Sequence, residues 1–103
     1  MTDTIELPNA GKIAELAAAG MLPSLYAELK PGAVAVYGAR SKRTFAELNG
    51  NANRLVAALA RAGVTAGDHI ALLCSNTPEF VEALAATWRS GLRITPINWH
   101  LSA

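Results

Sequence analysis

The sequence predicts an α/β fold in which parallel strands alternate with helices, flanked by further helices. Three observations predict it. Residues 69–97 spell strand, helix, strand with short connections. Residues 44–62 carry apolar side chains at helical spacing behind a capping signature. Residues 33–37 place β-branched residues at alternate positions.

Taken in order, residues 1–9 read as a leader ending at Pro8-Asn9, and Ala10–Ala19 as a short helix with Ile13 and Leu16 on one apolar face. Gly20 closes that helix. Pro23–Leu29 is a second short helix, with Leu22, Leu25, Tyr26 and Leu29 as its apolar set, and Pro31-Gly32 stops it. Ala33–Tyr37 is a strand. Gly38–Arg43 is a polar connection holding three of the nine basic residues, and a solvated hairpin turn is preferred there over a phosphate-binding loop.

The clearest helix follows. Thr44-Phe45-Ala46-Glu47 fits a capping box, in which the hydroxyl accepts from the N3 amide and the glutamate reaches back to the N-cap amide. Phe45, Leu48, Ala52, Leu55, Val56, Leu59 and Ala62 form the apolar face, expected to pack on a sheet. Asn49, Asn51, Asn53, Arg54 and Arg61 lie on the opposite, polar face. Gly63 is placed for a left-handed cap, with Val64 folding back on the last turn.

Thr65–Asp68 is a turn, and His69–Cys74 is a near-continuous apolar run, as expected of a strand buried on both faces. Thr77 as N-cap, Pro78 at the first position and Glu79 in the first turn open the next helix. Its expected buried stripe is Phe80, Val81, Leu84, Ala85 and Trp88, with Glu79 and Glu82 on an exposed face. Gly91 ends it. Leu92–Ile97 is the second parallel strand, with Pro96 marking its end or a sheet edge.

The chain has 103 residues, 51% hydrophobic, with nine Lys/Arg against eight Asp/Glu. That length sets one domain at most. Near-neutral charge offers no electrostatic case for nucleic acid or an anionic membrane surface. No run approaches the roughly 18 apolar residues of a transmembrane span. The first residues carry acids where a signal peptide has a basic region, so a cytoplasmic protein is expected. Cys74, the single cysteine, excludes an internal disulfide and a Cys-built metal cage, and a buried inert thiol is its expected state.

Candidate chemistry is sparse. A strand-to-helix turn in a parallel sheet is a common nucleotide site, which directs attention to Ser75–Glu79. That turn has no glycine, and Glu79 puts negative charge where a phosphate would sit, so a capped helix start is the better reading. Neither glycine-rich phosphate signature occurs. His69 reads as a surface residue. Trp99 and His100 either line a pocket or pack together. Ser24, Ser41, Ser75, Ser90 and Ser102 have no neighbouring base and no nucleophile elbow. No residue is assigned a catalytic, cofactor-binding or metal-binding role.

The run Thr44-Phe45-Ala46-Glu47-Leu48, with Asn53-Arg54-Leu55 and Ala57-Ala58-Leu59, resembles the adenylate-forming (AMP-binding) enzymes. The likeness continues through Gly63-Val64, Gly67–Leu72 and Asn76-Thr77-Pro78-Glu79-Phe80 to Pro96-Ile97-Asn98-Trp99-His100-Leu101, and so covers residues 22–103. Pro96-Ile97-Asn98 followed by Leu101 looks like the fatty-acyl and aryl CoA-ligase branch, although His100 stands where many relatives have Arg.

The resemblance implies a parent enzyme that joins a fatty acid to CoA with ATP and Mg²⁺ through an acyl-adenylate. It further implies that residues 22–103 are a truncated N-terminal subdomain of that enzyme's large domain, preceded by a leader and short helix over 1–21. The family's phosphate loop, its adenine-contacting motifs and its catalytic lysine have no counterpart here, so the expectation is an inactive scaffold piece that needs no cofactor itself. Self-association through exposed sheet edges is expected. A stand-alone interaction module on the same scaffold is the rival reading.

Overall fold

The computed structural model describes residues 6–97. Asn9 opens α1 (Ala10–Ala18) by accepting the Lys12 amide at 2.8 Å. The helix ends in a left-handed Gly20 (φ +71°), with the Met21 amide reaching back to the Leu16 carbonyl at 2.7 Å and the Gly20 amide to Ala17. α2 (Leu22–Leu29) starts at once, with Pro23 in its first turn, where a missing N–H costs nothing.

β1 (Val34–Tyr37) and β2 (Lys42–Thr44) form an antiparallel hairpin, pairing Val34 with Thr44, Val36 with Arg43 and Tyr37 with Lys42. The expected polar connection over 38–43 is therefore a turn followed by a strand. Lys42 and Arg43 adopt strand conformation because β1 pairs with them, a non-local cause that composition does not reveal.

α3 (Phe45–Arg61) has the complete capping box: the Thr44 hydroxyl accepts the Glu47 amide at 3.1 Å and the Glu47 carboxylate accepts the Thr44 amide at 2.8 Å. Gly63 (φ +87°) and the Val64 amide close the far end on Ala60 and Leu59 as expected. β3 (His69–Leu73), α4 (Pro78–Ser90) and β4 (Arg93–Ile97) make the expected parallel unit, in register from His69↔Arg93 to Leu73↔Ile97.

Several packing expectations are corrected. α3 packs mainly on α4 and α2, touching the β1–β2 hairpin, rather than lying on a sheet. Among the described residues the strands form two separate two-stranded sheets. β3 alternates exposed and half-buried residues instead of being covered on both faces, and Leu73 is 65% exposed. Cys74 is half-buried, its thiol donating to the Ser75 carbonyl at 3.2 Å.

On α4 the buried positions are Pro78, Glu82, Ala83, Ala85, Ala86 and Thr87, while Trp88 is exposed and Phe80, Val81 and Leu84 are half-buried. The cause is close approach: Ala85 and Ala86 meet Ala52 of α3, with Leu55 and Val56 flanking, and only small side chains fit that contact. Tyr26 of α2 stacks on Phe45 of α3 with ring centroids 5.3 Å apart.

The resulting core is thin. Among the described residues the largest side chain less than 2% exposed is Thr87. The Cα radius of gyration is 15.1 Å, above the roughly 13 Å of a compact domain of this length.

Candidate functional site

The strand-to-helix turn over 74–78 sits at the C-terminal end of a parallel strand, the place where α/β folds gather ligands. Its chemistry is already engaged. Arg43 of the hairpin donates from Nη2 to Glu79 Oε1 at 2.9 Å and from Nε to Glu82 Oε2 at 3.3 Å. The same Glu82 oxygen accepts from Asn51 Nδ2, and Asn51 Oδ1 accepts from Arg54. A polar ladder thus ties hairpin, α4 and α3 together.

Two expectations change here. Glu82 is 7% exposed rather than solvated, and Arg43 faces α4 rather than water. Each follows from the other: a carboxylate is buried at this depth only with a charge partner and a hydrogen-bond donor beside it.

Glu79 has its carboxyl held below the ordinary value, first by its own backbone N–H at the helix start, then by the Thr77 hydroxyl and the Arg43 guanidinium. Thr77 is the N-cap by position, but its side chain accepts no helix amide; the hydroxyl turns toward the Ser75 carbonyl at 3.4 Å. A phosphate approaching this helix start meets the Glu79 carboxylate and a glycine-free backbone. The residues present do not fit a nucleotide phosphate.

A second polar cluster joins the helices further along. Arg89 Nη1 donates to Asn49 Oδ1 at 2.8 Å and to Asn53 Oδ1 at 2.7 Å. Asn49 and Asn53, four apart, share one face of α3. Both were expected in solvent; they border the α3–α4 contact, Asn49 half-buried and Asn53 still exposed. Arg89 Nε and Nη2 are buried with no partner among the described residues, and burial lowers the guanidinium pKa.

His69 is exposed, as expected, and its ring hydrogen-bonds Thr95 across the strands. Trp99 and His100 lie outside the described residues. A cleft of about 510 Å³ between the α1–α2 turn and the end of α4 is lined by Ala17, Gly20, Leu22, Thr87, Trp88 and Leu92, among others, with no titratable side chain. Among the described residues no three of His, Cys, Asp and Glu converge as a metal site.

Comparison with known proteins places this geometry. The model of the AMP-binding enzyme family matches residues 25–103. A feruloyl-CoA synthase from an Amycolatopsis species is 37% identical over 82 residues, 80% of this chain and 17% of the relative. A 2-succinylbenzoate–CoA ligase from Geobacillus kaustophilus is 39% identical over 75 residues, 73% of this chain and 15% of the relative. Among solved structures, a Mycobacterium tuberculosis fatty acyl CoA synthetase superposes with a TM-score of 0.75 at 28% identity, over 85% of this chain and 18% of that one. The chain therefore spans about a sixth of the length of the curated relatives it matches. Family model, sequence identity and superposition agree that this chain belongs to the AMP-binding, adenylate-forming enzymes, as a partial N-terminal piece of their α/β fold.

Proposed function

We propose that residues 22–103 are a scaffold subdomain of an acid–thiol ligase, preceded by an extension over 1–21, and that polypeptide outside these residues supplies the reactive groups. The whole enzyme would transfer AMP from ATP to a carboxylic acid, releasing pyrophosphate. The CoA thiol would then attack the acyl-adenylate carbonyl and expel AMP. ATP, Mg²⁺ and CoA belong to that whole enzyme, which we place in the cytoplasm, and none of the 103 residues is assigned to catalysis.

The observation that carries this reading is the Arg43–Glu79–Glu82 arrangement: the charged groups beside the strand-to-helix turn are paired with one another, Glu82 in the interior and Glu79 at the surface. The thin core agrees, since a fold of this type is stable when further layers cover its sheets.

A fatty acid is the acid we favour, on Pro96-Ile97-Asn98 and on the likeness to a fatty acyl CoA synthetase. An aryl acid is the second reading, favoured by the 37% identity to a feruloyl-CoA synthase. ATP–pyrophosphate exchange on the purified chain, with a fatty acid or ferulate, tests the scaffold reading. No exchange is expected, and exchange dependent on either acid overturns it. The open sheet edges further support self-association of the isolated chain.

A further inference from the structure

We propose that residues 9–21 form a strap that locks the junction between α4 and β4, and that strap and junction open together, short of global unfolding. This rests on contacts made within the described residues and does not depend on the ligase reading.

The strap lies outside the stretch that the family model matches, which begins at residue 25. α1 has nine residues, none of them buried. An isolated helix in water needs about 12–15 residues to persist, so caps and docking hold this one. Asn9 caps one end and the Met21 amide closes the other on the Leu16 carbonyl. Ile13 and Leu16 are its half-buried side chains, and Leu16 shares a groove with Leu25 of α2.

What the α1–α2 turn touches is backbone. A Cβ on Gly20 would fall 2.6 Å from the Trp88 carbonyl carbon and 2.7 Å from its oxygen, so the turn lies on the last turn of α4 with no side chain between them. Rotamer changes cannot open such a contact; one backbone must move off the other. From Trp88 the chain runs directly into the junction. The Gly91 and Leu92 amides both bond the carbonyl of Thr87, which is fully buried. The Gly91 carbonyl accepts the Gly67 amide at 2.8 Å, and the Arg93 amide bonds the Asp68 carbonyl at 2.9 Å. Those two bonds lead into the β3–β4 pair at His69↔Arg93. A helix end held by the turn and by the 67–68 loop is seated or released, since packed contacts are bistable rather than continuously deformable. Undocking the N-terminal extension thereby loosens the start of the parallel pair while the Ala52–Ala85–Ala86 contact stays folded.

Residue-resolved hydrogen exchange of the intact 103-residue chain, in urea below the unfolding transition, tests this. The Met21, Gly67, Leu92 and Arg93 amides should share one opening free energy and one urea dependence, both below those of Ala52 and Leu55 in α3. Leu16→Ser, a change in the α1–α2 groove, should speed exchange at Gly67, Leu92 and Arg93 by the same factor as at Met21, about tenfold. Met21 opening at a lower free energy than the junction would mean that α1 frays alone, and overturns the proposal. A junction that opens only together with α3 overturns it too. So does a Leu16→Ser chain in which Gly67, Leu92 and Arg93 keep their wild-type rates.

Discussion

The Arg43 guanidinium lies 3.3 Å from the carboxylate of Glu82, which is 7% exposed, and it spans from a hairpin strand to the second turn of α4. Removing one member of a buried pair leaves the other charged and desolvated. Discounted for the partial exposure of Arg43, Arg43→Ala should cost about 2–3 kcal/mol. The double change Arg43→Met with Glu82→Leu removes both charges and should lie within about 1 kcal/mol of the wild type. Urea unfolding midpoints at constant m-value decide between them. Equal losses for the single and double variants would assign the cost to packing rather than to the orphaned charge.

Acid should erode stability through Glu47 and Glu79. Both carboxyls are held below the ordinary value of 4.5, Glu47 first by the Thr44 backbone amide and then by the Thr44 hydroxyl. A carboxyl with a lower pKa in the folded state contributes fully above the unfolded value and loses that contribution as pH falls through the folded one. Thermal midpoints should therefore decline as pH drops below 4.5. Glu47→Gln and Glu79→Gln should each flatten that decline, and Thr44→Ala should cost about 1 kcal/mol at neutral pH by removing the cap. An unchanged acid limb in both glutamine variants would count against these two carboxylates.

Much of the fold was legible because the signals were local. Thr44 and Glu47 stand three apart, which is all a capping box requires, and Gly63 needs only its own freedom at positive φ. The strand–helix–strand unit over 69–97 followed from run lengths and from Thr77-Pro78-Glu79. The non-local pairings were illegible. Lys42 and Arg43 look like turn residues until β1 pairs with them, and Asn49, Asn51 and Asn53 look solvent-facing until Arg89 and Glu82 arrive from α4. Trp88 was expected inside from its helical spacing with Phe80, Val81, Leu84 and Ala85, whereas the helix contact selects Ala85 and Ala86 because they are small. The poverty of the candidate site has the same origin, since its charged residues are spent on contacts between elements.

Gly20 should tolerate no side chain. Its φ is +71°, and a Cβ there would stand 2.6 Å from the Trp88 carbonyl carbon, a backbone atom that cannot swing aside. Gly20→Ala should cost about 2 kcal/mol or more, the sum of left-handed strain and a displaced α4 terminus. Gly32→Ala is the contrast, with nothing within 4 Å of its added methyl. It should be neutral or stabilising by up to about 1 kcal/mol through the unfolded chain. Denaturant curves for the two variants should separate in opposite directions from the wild type. Equal effects would mean that the α1–α2 turn does not press on Trp88.

Arg89 offers the reverse case, a charge whose burial is incompletely compensated. Its Nη1 satisfies Asn49 and Asn53, yet Nε and Nη2 are buried without partners among the described residues, and desolvation lowers its pKa. Two neutral hydrogen-bond acceptors do not replace a carboxylate for a desolvated guanidinium. Arg89→Met keeps the aliphatic stem in the α3–α4 contact and removes the charge, so it should raise stability by about 1 kcal/mol. Arg89→Ala loses the stem as well and should be destabilising. Read by thermal midpoint, methionine above wild type and alanine below it would separate the cost of the charge from the value of the packing. A methionine variant less stable than the wild type would mean that the Asn49 and Asn53 hydrogen bonds outweigh the desolvation of the guanidinium.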